Sequence, residues 1–140
     1  MTGQVAGTIW PSAFPPPAET VLSWQLRDVA QLPAVRAEVR KCVDGPAVDD
    51  LLDRLVLALD EMASNALRHG GGDVRAALRS TGSAFLVEVS DQATQTPPMP
   101  AVGRDPSFGG LGLYLIAELA PQHGWYVGDG AKHVWALLAS

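Results

Sequence analysis

Leu59-Asp60-Glu61-Met62-Ala63-Ser64-Asn65-Ala66-Leu67-Arg68-His69-Gly70 is the stretch on which the reading of this chain turns. At steps of about 100° per residue, Leu51, Leu52, Leu55, Val56, Leu59, Met62, Ala63 and Ala66 fill one arc of a long helix. Arg54, Glu61, Asn65 and Arg68 fall on the opposite arc. The apolar arc is a core face. Glu61 and Asn65, one helical turn apart, project side by side. They set a carboxylate able to take a proton beside an amide oxygen able to coordinate a hard cation. Periodicity alone does not say whether the polar arc meets water or a ligand.

The rest of the chain is read outward from this helix. It opens at Asp49 or Asp50, with acidic residues suited to a first turn, and ends at Gly70-Gly71-Gly72, where glycine provides a left-handed cap. Upstream, Val21 to Arg27 alternates apolar and polar residues and reads as a strand with Leu22, Trp24 and Leu26 turned inward. A first helix follows over about Gln31 to Val43, and Asp44-Gly45-Pro46 breaks the chain before the second. Downstream, Val74 to Arg79 and Phe85 to Val89 flank the turn-like Ser80-Thr81-Gly82-Ser83 and read as a β-hairpin. Gln92 to Phe108 holds Pro97, Pro98, Pro100 and Pro106 and no period of either kind, so it reads as a long loop, disordered or a functional lid. Gly109-Gly110-Leu111-Gly112 opens a third helix over Leu113 to Leu119. Strands at Trp125 to Val127 and His133 to Leu138, around Gly128-Asp129-Gly130, close the chain.

This order implies an α+β two-layer sandwich: a mainly antiparallel mixed sheet of about four to five strands, covered on one face by three helices. Trp24, Trp125 and Trp135 are available to cover the other face or to present it to a second copy of the chain.

The 140 residues fit one domain that buries roughly two-thirds of its unfolded surface. Residues 1–20, with Pro11, Pro15, Pro16 and Pro17, read as an extended or disordered tail, and residues 21–140 as the single folded domain. A net charge of −5, and only two lysines, Lys41 and Lys132, exclude a basic nucleic-acid patch and a basic membrane-surface helix. The single cysteine, Cys42, excludes an intramolecular disulfide or a multi-cysteine zinc site and reads as a small buried apolar residue. No apolar run is long enough to cross a bilayer. A cytoplasmic protein is expected.

Known phosphate-binding devices narrow the chemistry. No glycine run is followed by Lys and Ser or Thr, so the Walker loop is absent. Gly110-Leu111-Gly112 is followed by Leu113-Tyr114-Leu115, without the third glycine of a dinucleotide fingerprint. A glycine-rich helix entry remains. There, bare backbone N–H groups and the helix dipole favour phosphate oxygens, unless the glycines serve only as a hinge and a close-packing point.

Taken in order, Glu61-Met62-Ala63-Ser64-Asn65-Ala66-Leu67-Arg68-His69-Gly70, then Val87-Glu88-Val89-Ser90-Asp91, then Gly110-Leu111-Gly112-Leu113, then Gly128-Asp129-Gly130 and Val134-Trp135 carry a specific resemblance. The chain resembles the ATP-binding domain shared by gyrases, histidine kinases and anti-sigma-factor kinases, with its Bergerat-type fold, from about Val21 to Leu138. Among these it is most similar to short bacterial anti-sigma serine kinases. The resemblance implies that Glu61 polarises the attacking hydroxyl, Asn65 coordinates Mg²⁺ between the phosphates, and Asp91 accepts the adenine amino group. It implies that Gly110 and Gly112, with Leu111 between them, hold a lid hinge near the phosphates. Arg68, one turn beyond Asn65, is placed to face the nucleotide, and Arg104 lies within the lid. Two departures stand out. Ala93 replaces a glycine common two residues after the aspartate, and His133 takes a position near the adenine where threonine is common.

The implied activity is transfer of the γ-phosphoryl of MgATP to a serine of an antagonist protein, by a cytoplasmic homodimer that also grips a sigma factor. The alternative is a non-catalytic nucleotide-binding module that controls a partner by sequestration.

Overall fold

A computed structural model of the chain describes residues 10–43, 49–98 and 111–139. Five strands, β1 (Glu19–Leu26), β2 (Val74–Ser80), β3 (Phe85–Asp91), β4 (Gln122–Gly128) and β5 (Ala131–Leu138), form one sheet in the order β1-β2-β3-β5-β4. Every neighbouring pair is antiparallel. The helices are α1 (Leu32–Cys42), α2 (Asp49–Asn65) and α3 (Leu111–Leu119). The architecture is the expected α+β sandwich.

Period-two alternation sorts each strand between two faces. Leu26, Val74, Ala76, Leu78, Val87, Val89, Val134, Ala136 and Leu138 point to the helices and join the buried arc of α2 (Leu51, Leu55, Val56, Leu59, Met62, Ala63 and Ala66) in one core. From α1, Leu32, Val35 and Val39 complete it. The arc of α2 is the one its spacing predicts. Its last residues widen into a π-helical turn over Ala66–Gly70, a feature frequent at functional sites, and Gly71 ends it at φ 72°, where a side chain would be strained.

Three expectations are corrected. First, Trp125 packs against the helix-side core and not on the other face, beside Trp24, which turns inward as the alternation of its strand predicts; the Trp24 indole donates to Glu38 Oε2 on α1 at 2.8 Å. Only Trp135 lies in the small outer cluster, with Leu86 and Leu137. Second, residues 10–18 are extended but packed. Trp10 is fully buried and donates to the Leu113 carbonyl at 3.2 Å. Residues 11–13 run beside the edge strand β4, the Ala13 amide donating to the Trp125 carbonyl at 2.9 Å and the Trp125 amide to the Pro11 carbonyl at 3.0 Å. The Ala13 carbonyl then accepts from the Trp135 indole at 2.8 Å, and the Ala18 carbonyl from Arg79 at 2.9 Å. This strap covers the Trp135 end of the outer face with the chain's own backbone and protects an edge. Third, Cys42 is exposed. The next position, Val43, lies four residues after Val39 and takes the core place.

Candidate functional site

Glu61 and Asn65 on the polar arc of α2 are half-buried, whereas Arg68, one turn beyond, is exposed. Glu61, Ser64, Asn65, Arg68, His69, Gly112 and Leu113 line one narrow cleft between α2 and the start of α3. A Cβ at Gly112 would overlap the Glu61 carboxylate, so only glycine lets α3 approach this closely. Among the described residues, neither the Glu61 nor the Asn65 side chain has a hydrogen-bond or ion-pair partner. The cleft measures about 20 Å³, room for about one water. Gly110 and Arg104 lie outside the described residues; Leu111 opens α3.

The π-helical turn carries the site onward to the sheet. A Cβ at Gly70 would overlap the Asp91 carboxylate, so the end of the α2 segment rests on the last residue of β3. Asp91 is 3% exposed. Its Oδ1 accepts the Ala93 backbone N–H at 2.9 Å, a local turn that any residue but proline can supply at 93, so alanine in place of glycine costs this contact nothing. Lys132, 4% exposed, sets its ammonium 3.5 Å from Asp91 Oδ2 and donates to the Thr96 carbonyl at 2.8 Å. One row thus runs from Glu61 through Asn65 and Gly70 to Asp91.

His133 is not part of that row. Register pairs Asp91 with Lys132 and Ser90 with His133, so the two side chains of β5 fall on opposite faces. His133 Nδ1 meets Glu88 Oε2 at 2.9 Å, its Nε2 meets the Gly128 carbonyl at 3.2 Å, and its ring stacks on Tyr126 with centroids 4.6 Å apart. Arg79 reaches Glu88 Oε1 at 3.1 Å. The hydrogen bond to Glu88 outweighs burial and raises the His133 pKa above its usual 6.5. Burial opposes ionisation of Glu88, but His133 and Arg79 overcome it and lower its pKa below 4.5. Tyr126, half-buried against that carboxylate, is raised to about 12. A groove of about 380 Å³ lies on this outer face, bordered by Ser23, Gln25, Arg75, Glu88, Ser90 and His133. It is larger than the Glu61 cleft but lies across the sheet from Glu61. Lys132 is the residue that faces Asp91, and strand parity counted from Asp91 across the hairpin is the signal that finds it.

Comparison with known proteins gives the family. The sequence profile of the histidine kinase-like ATPase domain matches residues 26–137. The alginate biosynthesis sensor protein KinB of Pseudomonas aeruginosa is 35% identical over 105 residues, covering 61% of this chain and 18% of that protein. The chain therefore spans less than a fifth of this relative's length. No described helix is long and apolar enough to cross a membrane. With that profile covering most of its length, the chain belongs to the histidine kinase-like ATPase domain family.

Proposed function

We propose that this chain binds MgATP along the Glu61–Asp91 row and transfers the γ-phosphoryl group to a serine or threonine hydroxyl of a partner protein. The observation that carries this reading is the pairing of Glu61 and Asn65 in one cleft, unpartnered among the described residues, with Gly112 pressed against the carboxylate. The family supports ATP as the nucleotide.

The donor set fits the ligand. The described residues hold no group of three His, Cys, Asp or Glu side chains able to cage a metal. An Mg²⁺ ion would be held through the Asn65 amide oxygen with phosphate oxygens and water, the usual arrangement for this cation. Asp91 accepts the adenine amino group in this reading. Glu61 takes the proton of the attacking hydroxyl as its oxygen bonds to the γ-phosphorus; the bond to the β–γ bridging oxygen breaks, and ADP leaves with that electron pair. A cleft of about 20 Å³ does not admit a triphosphate, so the first turn of α3 has to withdraw from Glu61 on binding.

The proposed acceptor is a small antagonist protein of the anti-anti-sigma type, with a sigma factor as a second partner and a homodimer as the working form. The tight closure of the cleft favours a second reading, a nucleotide-binding module that sequesters its partner without catalysis. Calorimetric titration with MgATP, then incubation with γ-labelled MgATP and candidate antagonists, separates them. Glu61→Gln should keep binding within a few-fold and lower transfer by roughly 10²- to 10⁴-fold. Undiminished transfer by that variant removes the role given to Glu61, and binding with no transfer to any candidate favours the module.

A further inference from the structure

Lys132 is one of two lysines in the chain and the only lysine buried among the described residues. Its ammonium meets Asp91, at the end of the row opposite Glu61. It stands opposite Asp91 in the β3–β5 register, on the same face and 3.5 Å from that carboxylate. A buried ion pair is costly to desolvate, and an apolar pair of similar volume is often no less stable. Such a pair needs further hydrogen bonds to justify its place.

The two groups are anchored but not exhausted. A carboxylate accepts at about four lone-pair sites and an ammonium donates three hydrogens. Asp91 uses Oδ1 for the Ala93 amide, and Lys132 uses one hydrogen for the Thr96 carbonyl. Each anchor fixes the direction of its group, and each group keeps capacity for another partner. An acceptor and a donor set side by side match an edge that presents a donor beside an acceptor. Adenine has that edge: an exocyclic amino hydrogen next to ring nitrogen N1.

Resting on the nucleotide reading above, we propose that Lys132 is a second base-contacting residue, donating to adenine N1 while Asp91 accepts the amino hydrogen. The pair is neutral as a unit, so it reads the base without setting an uncompensated carboxylate near the nucleotide anion. Guanine reverses the pattern: its O6 acceptor meets Asp91 and its N1–H donor meets Lys132. The site discriminates against guanine by mismatch at both atoms.

Calorimetry on the whole chain tests this with MgATP, MgGTP and the magnesium complex of 1-deaza-ATP, in which N1 is a C–H group. The wild-type protein should bind MgATP, and should bind the 1-deaza analogue roughly ten- to a hundredfold more weakly, the worth of one hydrogen bond to a charged group. MgGTP should bind at least as weakly. In Lys132→Met, checked for native circular dichroism, both ligands should weaken because Asp91 is left uncompensated, but the difference between MgATP and the analogue should close to within a few-fold, the coupling expected of a direct contact to N1. Equal binding of MgATP and its 1-deaza form by the wild-type protein overturns the contact even if the variant fails to fold. Tighter MgATP binding by Lys132→Met overturns it too, and identifies the ammonium as a plug over Asp91. If no nucleotide binds the wild-type protein, the nucleotide reading itself fails and takes this inference with it.

Discussion

The two faces of the sheet carry equally conspicuous polar groups, and they differ in how those groups are satisfied. On the outer face, Glu88 is held by Arg79, Tyr126 and His133 together, and His133 uses both ring nitrogens on protein partners. On the helix side, Glu61 and Asn65 have no such partner among the described residues, and glycines bring backbone against Glu61 and Asp91 where side chains would collide. Shifted pKa values gather on the outer face. Such shifts commonly mark active sites, but here they mark a network that closes on itself. On the helix side, open hydrogen-bonding capacity stands beside a glycine cradle, and β3 sends Glu88 and Asp91 to the two sides.

Trp10 links the faces, since its ring sits in the helix-side core while the strap that follows crosses to Trp135. Trp10→Ala should cost about 3–5 kcal/mol, as large aromatic truncations in cores do, read from urea unfolding. Phe14→Ala, four residues along the same strap but 75% exposed, should stay within about 0.5 kcal/mol. Equal effects from the two would mean that the strap has no anchored end.

Gly112 bears on the helix side alone. In Gly112→Ala the added methyl meets the Glu61 side chain, and overpacking of this kind costs about 1–3 kcal/mol. Unfolding measurements give the cost, and a crystal structure of the variant shows whether Glu61 has turned away. An unchanged stability with Glu61 unmoved would mean that α3 does not press on the carboxylate at all.

Most of the framework was legible because it rests on local periods. The 3.6-residue repeat of α2 and the alternation of β1, β2 and β3 follow from which face must be buried. The strap was not legible. Its residues show no period, and their order comes from contacts such as Trp10 with Leu113 and Trp135 with Ala13, over a hundred positions away in sequence. Motif order singled out Glu61, Asn65 and Asp91, and the structure sets them along one row, whereas His133 was assigned to the base side because the pairing register of β3 and β5 is a long-range property. A one-residue slip exchanges Lys132 for His133. Cys42 failed for a similar reason: the core position at the end of α1 goes to Val43, and the identity of the residue does not announce it.

The outer network makes the smallest prediction and the clearest in sign. His133 has a folded pKa raised above 6.5, so its contribution to stability is complete below that pH and is lost as pH rises through the raised value. Glu88 has a folded pKa lowered below 4.5, so its contribution is complete above 4.5 and is lost as pH falls through the lowered value. The pair therefore stabilises most between the two reference values, and above pH 6.5 stability should decline. Glu88→Gln should cost about 1 kcal/mol near pH 6, the net worth of a hydrogen bond, flatten that alkaline decline, and lower the His133 titration followed by NMR. MgATP affinity should be unchanged in the same variant, because the network lies across the sheet from Glu61, Asn65 and Asp91. A matching loss of nucleotide binding would mean that the two faces are coupled through β3, and that satisfaction of the outer groups is part of how the inner row is held.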